Sequence, residues 1–205
     1  MCALFGSPDR QRFVELALLN SYRGSHSHSI CTTDQSNGVI TSCYKTMGEF
    51  QMLDTISGDY YIGHAQAPTT EAKSMDSVHP SVEGSGFLWH NGILFDSYVK
   101  TMQKEQGIKC NWDTKLLHHK LNKEGFSSLS QVKGSFACVY NDGANTYLFR
   151  NENCPLFTDG VSYSSTEFMS SNPIQANVVY QLKSNKITKT PITFKTAQEF
   201  FWSLD

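Results

Sequence analysis

The sequence has no long apolar run and no excess of charge of either sign over its 205 residues. It carries 17 Lys and Arg against 19 Asp and Glu, and the basic residues are scattered. Binding to nucleic-acid phosphates needs clustered Lys and Arg, so we predict no nucleic-acid partner. No segment approaches the roughly 18 apolar residues of a membrane helix, and the first residues form no secretory signal. We therefore predict no membrane association and a cytoplasmic location.

The sequence also lacks the cysteine and histidine spacings of a metal or redox site. None of its six Cys residues forms a C-x-x-C pair. In a chain of this size without a signal, an even count favours reduced, partly buried thiols over a disulfide framework. His26 and His28 alternate along one predicted strand, but no third ligand accompanies them. We predict no metal and no cofactor.

The residues that are abundant are those that build a core. Hydrophobic residues make up 39% of the chain, with 13 Phe and 9 Tyr, which excludes disorder as its overall state. The length suits one domain, which we expect to span residues 2–205 with no synthase domain. Short apolar runs between turn residues predict many strands, and helical periodicity predicts about four helices. These patterns predict an α+β fold.

Three local patterns predict particular elements. Ser7-Pro8-Asp9 has the composition of a helix start, and the apolar spacing after it predicts a helix over about Pro8 to Tyr22. The spacing of apolar residues over 50–56 indicates a short helix. The strand at 87–90 is predicted to break at Asn91-Gly92 and to resume at Ile93, because Asn-Gly is a preferred turn dipeptide.

Cys2 is the first candidate for chemistry. An initiator Met that precedes a small residue is normally excised, which would leave Cys2 with a thiol and a free α-amine on one residue. An α-amine has a pKa near 7.7–8.0, so it can act as a general base at neutral pH. A thiol beside its own base is a self-contained nucleophile. The alternative is that a Cys stands at this position by chance.

The segment His90-Asn91-Gly92 is the second candidate. At the end of a strand, the Asn91 amide and the Gly92 N–H can point toward one spot, as the donors of an oxyanion hole do. The alternative is an ordinary hairpin turn.

Taken together, several segments resemble the glutaminase domain of class II glutamine amidotransferases, which are N-terminal-nucleophile hydrolases. The likeness covers about residues 2–170 and is similar to the glutaminase half of the hexosamine-phosphate synthases. The segments, in order, are Cys2, Tyr22-Arg23-Gly24-Ser25, Gly63-His64-Ala65-Gln66-Ala67-Pro68-Thr69, His79-Pro80, His90-Asn91-Gly92-Ile93, Asp113-Thr114, Val132-Lys133-Gly134-Ser135-Phe136-Ala137 and Tyr147-Leu148-Phe149-Arg150-Asn151.

The resemblance implies a four-layer αββα sandwich and a role for each catalytic residue. Cys2 would attack the side-chain amide of glutamine, and its α-amine would carry the proton to the departing ammonia. The Asn91 side chain and the Gly92 N–H would hold the oxyanion. Water would then hydrolyse the thioester to give glutamate.

The resemblance also implies substrate-binding residues. Asp113 lies at the position that binds the substrate α-ammonium, and Thr69 at the position of a hydroxyl that contacts the α-carboxylate. Arg23 would lie beside the nucleophile and support its turn. The family usually has an Arg at the position of Gln66, where it grips the carboxylate. A neutral contact would replace a charge-assisted one, unless Lys73 or Arg23 supplies the charge.

The sequence leaves three hypotheses. The first is a glutamine amidohydrolase that supplies ammonia to a synthase subunit in trans, because no synthase domain follows. The second is an N-terminal-Cys amidohydrolase that acts on a different amide, which Gln66 favours and Asp113 opposes. The third is a catalytically degenerate domain that binds glutamine or a partner.

Overall fold

A computed structural model describes residues 2–34, 38–67 and 73–197, and they form two antiparallel sheets. The first sheet has seven strands in the order β11-β9-β10-β1-β4-β2-β3. Its strands are β1 (Ala3–Ser7), β2 (Ser27–Thr33), β3 (Ile40–Met47), β4 (Tyr60–Gln66), β9 (Phe157–Thr158), β10 (Tyr163–Ser164) and β11 (Asn172–Pro173).

The second sheet has six strands in the order β13-β12-β8-β7-β6-β5. Its strands are β5 (Ser81–Glu83), β6 (Gly86–Leu94), β7 (Gly134–Asn141), β8 (Thr146–Arg150), β12 (Val178–Lys183) and β13 (Lys186–Thr193). The helices are α1 (Arg10–Asn20), α2 (Asp96–Gln106) and α3 (Asp113–Glu124), with 3-10 turns at Ser21–Arg23, Met75–Ser77 and Phe126–Gln131.

The helices and the two sheets form four layers, and a hydrophobic cluster lies between each pair of adjacent layers. Helix α1 packs on the outer face of the first sheet, and α2 and α3 pack on the outer face of the second sheet. Between the sheets, Leu4 and Ile62 of the first meet Trp89 and Leu148 of the second. This arrangement is an αββα sandwich, so the predicted α+β class and layer order are confirmed.

Strand β1 is buried on both faces, which explains its continuous apolar sequence. Side chains alternate along a strand, so Ala3 and Phe5 face α1 while Leu4 faces the second sheet. Cys2 directly precedes this strand, and the same alternation places its side chain on the Leu4 side, between the sheets.

Helix α1 starts later than predicted. Ser7 is the last residue of β1, and the N-cap is Asp9, whose carboxylate accepts a hydrogen bond from the Arg12 N–H at 2.6 Å. An Asp at this position satisfies a backbone donor that the first turn leaves unpaired. The helix ends at Asn20, and the chain continues through the 3-10 turn that contains Arg23.

Two other local predictions are wrong. Residues 50–56 form no helix; their apolar side chains Phe50, Met52 and Ile56 instead pack against the cluster beneath α1. Strand β6 does not break at Asn91-Gly92, because these residues stay paired with Ala137 and Phe136 of β7. The Asn-Gly preference for a turn is overridden by pairing along the whole strand.

The prediction of reduced thiols is wrong for one pair. Cys31 on β2 lies directly opposite Cys43 on β3, with Cα atoms 4.1 Å apart, and the two form a disulfide. Spacing along the chain did not indicate this bond, because strand register creates it. Four cysteines are free: Cys2, Cys110, Cys138 and Cys154. Over the residues that the structure describes, no helix has the length and apolar character needed to cross a bilayer.

Helix α1 allows a matched test of the packing. Phe13 is fully buried against Phe5 and Phe50, whereas Leu18 on the same helix is 65% exposed. We expect Phe13→Ala to lower the free energy of unfolding by about 3–5 kcal/mol in urea titrations. Leu18→Ala should change it by less than about 0.5 kcal/mol. Equal effects of the two variants would contradict this packing.

Candidate active site

The Cys2 thiol lies in a buried position between the sheets. Its side chain is held at the strand end, where Sγ donates to the Ala67 carbonyl at 3.4 Å. The Cys2 carbonyl accepts a hydrogen bond from Arg23 Nε at 3.1 Å. Arg23 therefore holds the backbone at Cys2, and its role beside a nucleophile stays a prediction.

Asn91 reaches the same region from the second sheet through Ser165. The Ser165 hydroxyl accepts from Asn91 Nδ2 at 3.2 Å and from the Leu4 N–H at 2.9 Å. The Ser165 N–H in turn donates to the Leu4 carbonyl at 2.8 Å. One side chain thus ties Asn91 to the strand that carries Cys2. A primary amide has two N–H donors, so Asn91 keeps a second one for a ligand.

The backbone conformation at position 92 requires glycine. Its φ is +144°, and a Cβ at this position would overlap the Ser135 carbonyl of the adjacent strand. Only glycine adopts this conformation at such close approach without strain. The Asn-Gly dipeptide is therefore a feature of a continuous strand and not of a hairpin turn.

Burial determines the protonation state of the Cys2 thiol. Burial raises the pKa of Cys2 to about 11, and the negative charge of Asp113 adds to this effect. A backbone hydrogen bond with Ala67 and the positive charge of Arg23 act in the opposite direction. At neutral pH the side chain is therefore a thiol, which needs a base before it can attack a substrate.

Asp113 is the buried anion of the site. It is the first residue of α3 and only 5% exposed. One carboxylate oxygen accepts from the Thr114 N–H at 2.8 Å, and the other accepts from the Leu94 N–H at 3.4 Å. Its negative charge contributes to the raised pKa of Cys2.

Gln66 lies across the strand pair from Cys2, because the β1–β4 register aligns Ala3 with Ala65. Its amide is already engaged. Oε1 accepts from the Ser27 hydroxyl at 3.1 Å and from the His79 ring at 3.2 Å, and Nε2 donates to the Ser77 carbonyl at 3.1 Å. Gln66 thus brings no charge to the site and is held by its neighbours.

The sequence of this chain is similar to that of known enzymes. No family model matches the chain. It is 29% identical over 170 residues to a glutamine–fructose-6-phosphate aminotransferase (isomerizing) of Lactiplantibacillus plantarum, covering 73% of this chain and 27% of that protein. The enzyme of the same name from Wigglesworthia glossinidia brevipalpis is 26% identical, over 71% of this chain and 28% of its own. The chain therefore spans just over a quarter of the length of these curated relatives.

Solved structures share the fold. The glutamine phosphoribosylpyrophosphate amidotransferase of B. subtilis superimposes with a TM-score of 0.69 at 21% identity, over 92% of this chain and 49% of that one. A glutamine aminotransferase class-II domain protein from Silicibacter pomeroyi gives a TM-score of 0.51 at 8% identity, covering 93% and 98% of the two chains. The chain is therefore similar in sequence to glutamine-dependent aminotransferases, and it shares the fold of the solved glutamine amidotransferases.

The structure relates most of the residues that the sequence pointed to. Arg23 donates to the Cys2 carbonyl, and Asn91 is joined through Ser165 to the Leu4 backbone. The charge of Asp113 raises the pKa of Cys2, and Gln66 lies across the strand pair from Cys2. Thr69 lies outside the described residues, so its role in substrate binding stays a prediction. Lys73, considered as an alternative cation, is exposed.

Sequence reasoning missed four residues of the site. His79 and Thr114 stood inside quoted motifs but received no role, and their contact appears only when the segment before β5 packs against α3. Ser165 lies in none of the motifs that the sequence offers. Cys154 donates to the Asn91 carbonyl at 3.1 Å, and burial raises its pKa to about 11, so it is a second protonated thiol. Within the described ranges, no three His, Cys, Asp or Glu residues form a metal site.

The Cys2 pKa leads to a pH prediction for a chain that retains residue 1. Only the thiolate is alkylated, so the rate of Cys2 labelling by iodoacetamide should rise about tenfold per pH unit from pH 7 to 10. Mass spectrometry of the N-terminal peptide gives this rate. The same chain in urea is the control, and there the rate should level off near pH 9, the ordinary range of a thiol. A plateau at pH 9 in the folded chain would contradict burial of the thiol.

Proposed function

We propose that this domain releases ammonia from the side-chain amide of glutamine, with Cys2 as an N-terminal nucleophile. The observation that carries the proposal is a buried thiol directly before β1, a strand whose Leu4 backbone is tied through Ser165 to the amide of Asn91. The names of the curated relatives support glutamine as the amide donor. One glutaminase domain over residues 2–205 is part of the proposal.

The first step needs a base, because the Cys2 pKa is about 11. Among the described residues, Arg23 cannot act as one, and burial holds the neighbouring Cys154 thiol protonated. The α-amine of Cys2, free after removal of residue 1, would take the thiol proton. The sulfur then attacks the amide carbon, and a C–S bond forms while the carbonyl π electrons move onto oxygen.

Asn91 and Gly92 would hold this oxyanion. The second N–H of Asn91 and the backbone N–H of Gly92 are the proposed donors. A preorganised donor of this kind stabilises the transition state by about 2.7–4 kcal/mol. The intermediate collapses as the amine passes its proton to the leaving nitrogen, and ammonia departs. Water then cleaves the thioester, which gives glutamate and restores the thiol.

Asp113 is proposed to bind the α-ammonium group of glutamine, because it is a buried carboxylate beside the nucleophile. Thr69 and Gln66 are proposed to contact the α-carboxylate. The Gln66 contact would be a neutral hydrogen bond, since its amide carries no charge.

We propose that the ammonia is consumed by a synthase partner. The curated relatives are named for transfer of an amino group from glutamine to fructose 6-phosphate, and a synthase subunit in trans would take up the ammonia released here. A cytoplasmic location, and the absence of nucleic-acid and membrane partners, stay predictions from composition.

A second candidate function is hydrolysis of a different amide. The engagement of Gln66 by Ser27, Ser77 and His79 favours it, because this part of the site offers a substrate no positive charge. Steady-state kinetics separate the two candidates. A higher kcat/KM for simple acyl amides than for glutamine would support the second one.

The catalytic assignment predicts two different losses of glutamate release. Cys2→Ala should abolish it, because no sulfur remains to form the thioester. Asn91→Ala should lower kcat about 10²- to 10³-fold, the usual effect of losing one oxyanion donor. Cys110→Ser is the matched control and should be unaffected, since this free thiol is half-exposed in the loop before α3. Release of glutamate by Cys2→Ala would disprove the mechanism.

The α-amine has its own test. A chain that keeps one uncleaved residue before Cys2 retains the thiol but loses the free amine on Cys2. We expect it to fold normally, by circular dichroism, and to release no glutamate. Activity equal to that of the chain that begins at Cys2 would show that another group is the base.

A further inference from the structure

A chain of hydrogen bonds runs from Gln66 to the first turn of α3. The orientation of the Gln66 amide is fixed by backbone groups: the His79 N–H donates to Oε1 at 3.4 Å, and the Ser77 carbonyl accepts from Nε2. Because Oε1 can only accept, the His79 ring must donate to it from Nδ1, at 3.2 Å.

The protonation of the His79 ring determines how the Thr114 hydroxyl is oriented. Burial, followed by the nearby His64, His90 and Lys45, holds the pKa of His79 well below its ordinary value, so the ring is neutral. A neutral ring that donates from Nδ1 accepts at Nε2, and the Thr114 hydroxyl lies 3.0 Å from this atom. The Thr114 hydroxyl has two acceptors within reach, His79 Nε2 at 3.0 Å and Asp113 Oδ1 at 3.4 Å, and we assign its single proton to the nearer one, His79.

His90 completes the set of donors. Because the Thr114 proton is committed to His79, the Thr114 oxygen can only accept from His90 Nδ1, which lies 3.3 Å away. All members of the chain are buried, and His90 Nδ1 also lies 3.9 Å from Asp113 Oδ2. The His79 ring is also held by packing, with the His64 ring 4.0 Å from its centre and the Trp112 ring 5.2 Å away.

Thr114 is the point where this chain meets the substrate site. Its backbone N–H donates to Asp113 Oδ1 at 2.8 Å, while its hydroxyl is bound to His79. The N-cap of α3, Trp112, provides no side-chain capping bond. The contact with His79 is thus what ties the first turn of α3, and with it the Asp113 carboxylate, to the end of β4.

We propose that His79 and Thr114 are positioning residues that hold Asp113 for recognition of the substrate α-ammonium group. The inference rests on the proposed function, since Asp113 must bind that group. It deepens that function in one respect: selection for an α-amino acid over the same amide without an amino group depends on these two side chains.

The test compares two substrates, glutamine and glutaramate, which is glutamine without its α-amino group. Thr114→Val keeps the shape of the side chain and removes the hydroxyl. We expect it to lower kcat/KM for glutamine at least about tenfold, mainly through KM, because the hydroxyl's buried hydrogen bonds with His79 and His90 are both lost. The value for glutaramate should change little, so the ratio of the two falls. Thr114→Ser restores the hydroxyl and should restore the ratio.

His79 provides a second pair of variants, which also covers the case in which Thr114→Val does not fold. An Asn amide occupies the position of Nδ1, so His79→Asn keeps the contact with Gln66 and loses the contact with Thr114. A Gln amide reaches the position of Nε2, so His79→Gln keeps the contact with Thr114. We expect the substrate ratio to fall in His79→Asn and to be kept in His79→Gln.

The outcomes separate this inference from the proposed function. If the unaltered domain does not hydrolyse glutamine, the proposed function fails, and the inference fails with it. If it does, but the variants keep the substrate ratio, the inference alone is wrong. An equal loss with both substrates also overturns it, because a merely structural role would affect both amides alike.

Discussion

The Ser165 hydroxyl accepts hydrogen bonds from both sheets at the point where the site forms. Through this oxygen the Leu4 backbone of β1 and the Asn91 side chain of β6 are held at a set separation. Cys2 stands two residues before Leu4 and on the same face of the strand. The placement of the nucleophile relative to the proposed oxyanion donors therefore depends on one buried contact between layers, which the packing of Leu4 and Trp89 keeps dry.

Burial has opposite consequences for the groups that surround this contact. It raises the pKa of Cys2 and so keeps the thiol protonated, which makes a nearby base necessary. It lowers the pKa of His79 and so keeps that ring neutral, which lets the ring serve as an ordered donor and acceptor. The same low dielectric strengthens the effect of the Asp113 carboxylate on whatever enters the site. One physical condition thus shapes both the proposed nucleophile and the proposed substrate contacts.

The site also shows how a neutral residue fits where the resemblance implied a charge. Gln66 accepts from Ser27 and His79 and donates to Ser77, so its amide belongs to a satisfied buried network. A buried amide in such a network costs little, because its polar atoms keep partners. The charged groups that act on Cys2 are instead Arg23, which lowers the pKa of the thiol, and Asp113, which raises it.

Residue types and their order predicted the α+β class and pointed to Cys2 and Asn91-Gly92 as candidates, because alternation of apolar residues and short motifs are local properties. The resemblance to a family supplied the four-layer order and the proposed role of Asp113. Tertiary structure alone decided that β6 runs straight through Asn91-Gly92, that Cys31 meets Cys43, and that Ser165 joins the sheets. It also brought His79 against Thr114. Each of these depends on strand register or on packing between layers, and residues up to 161 positions apart, such as Leu4 and Ser165, leave no periodic signal in the chain.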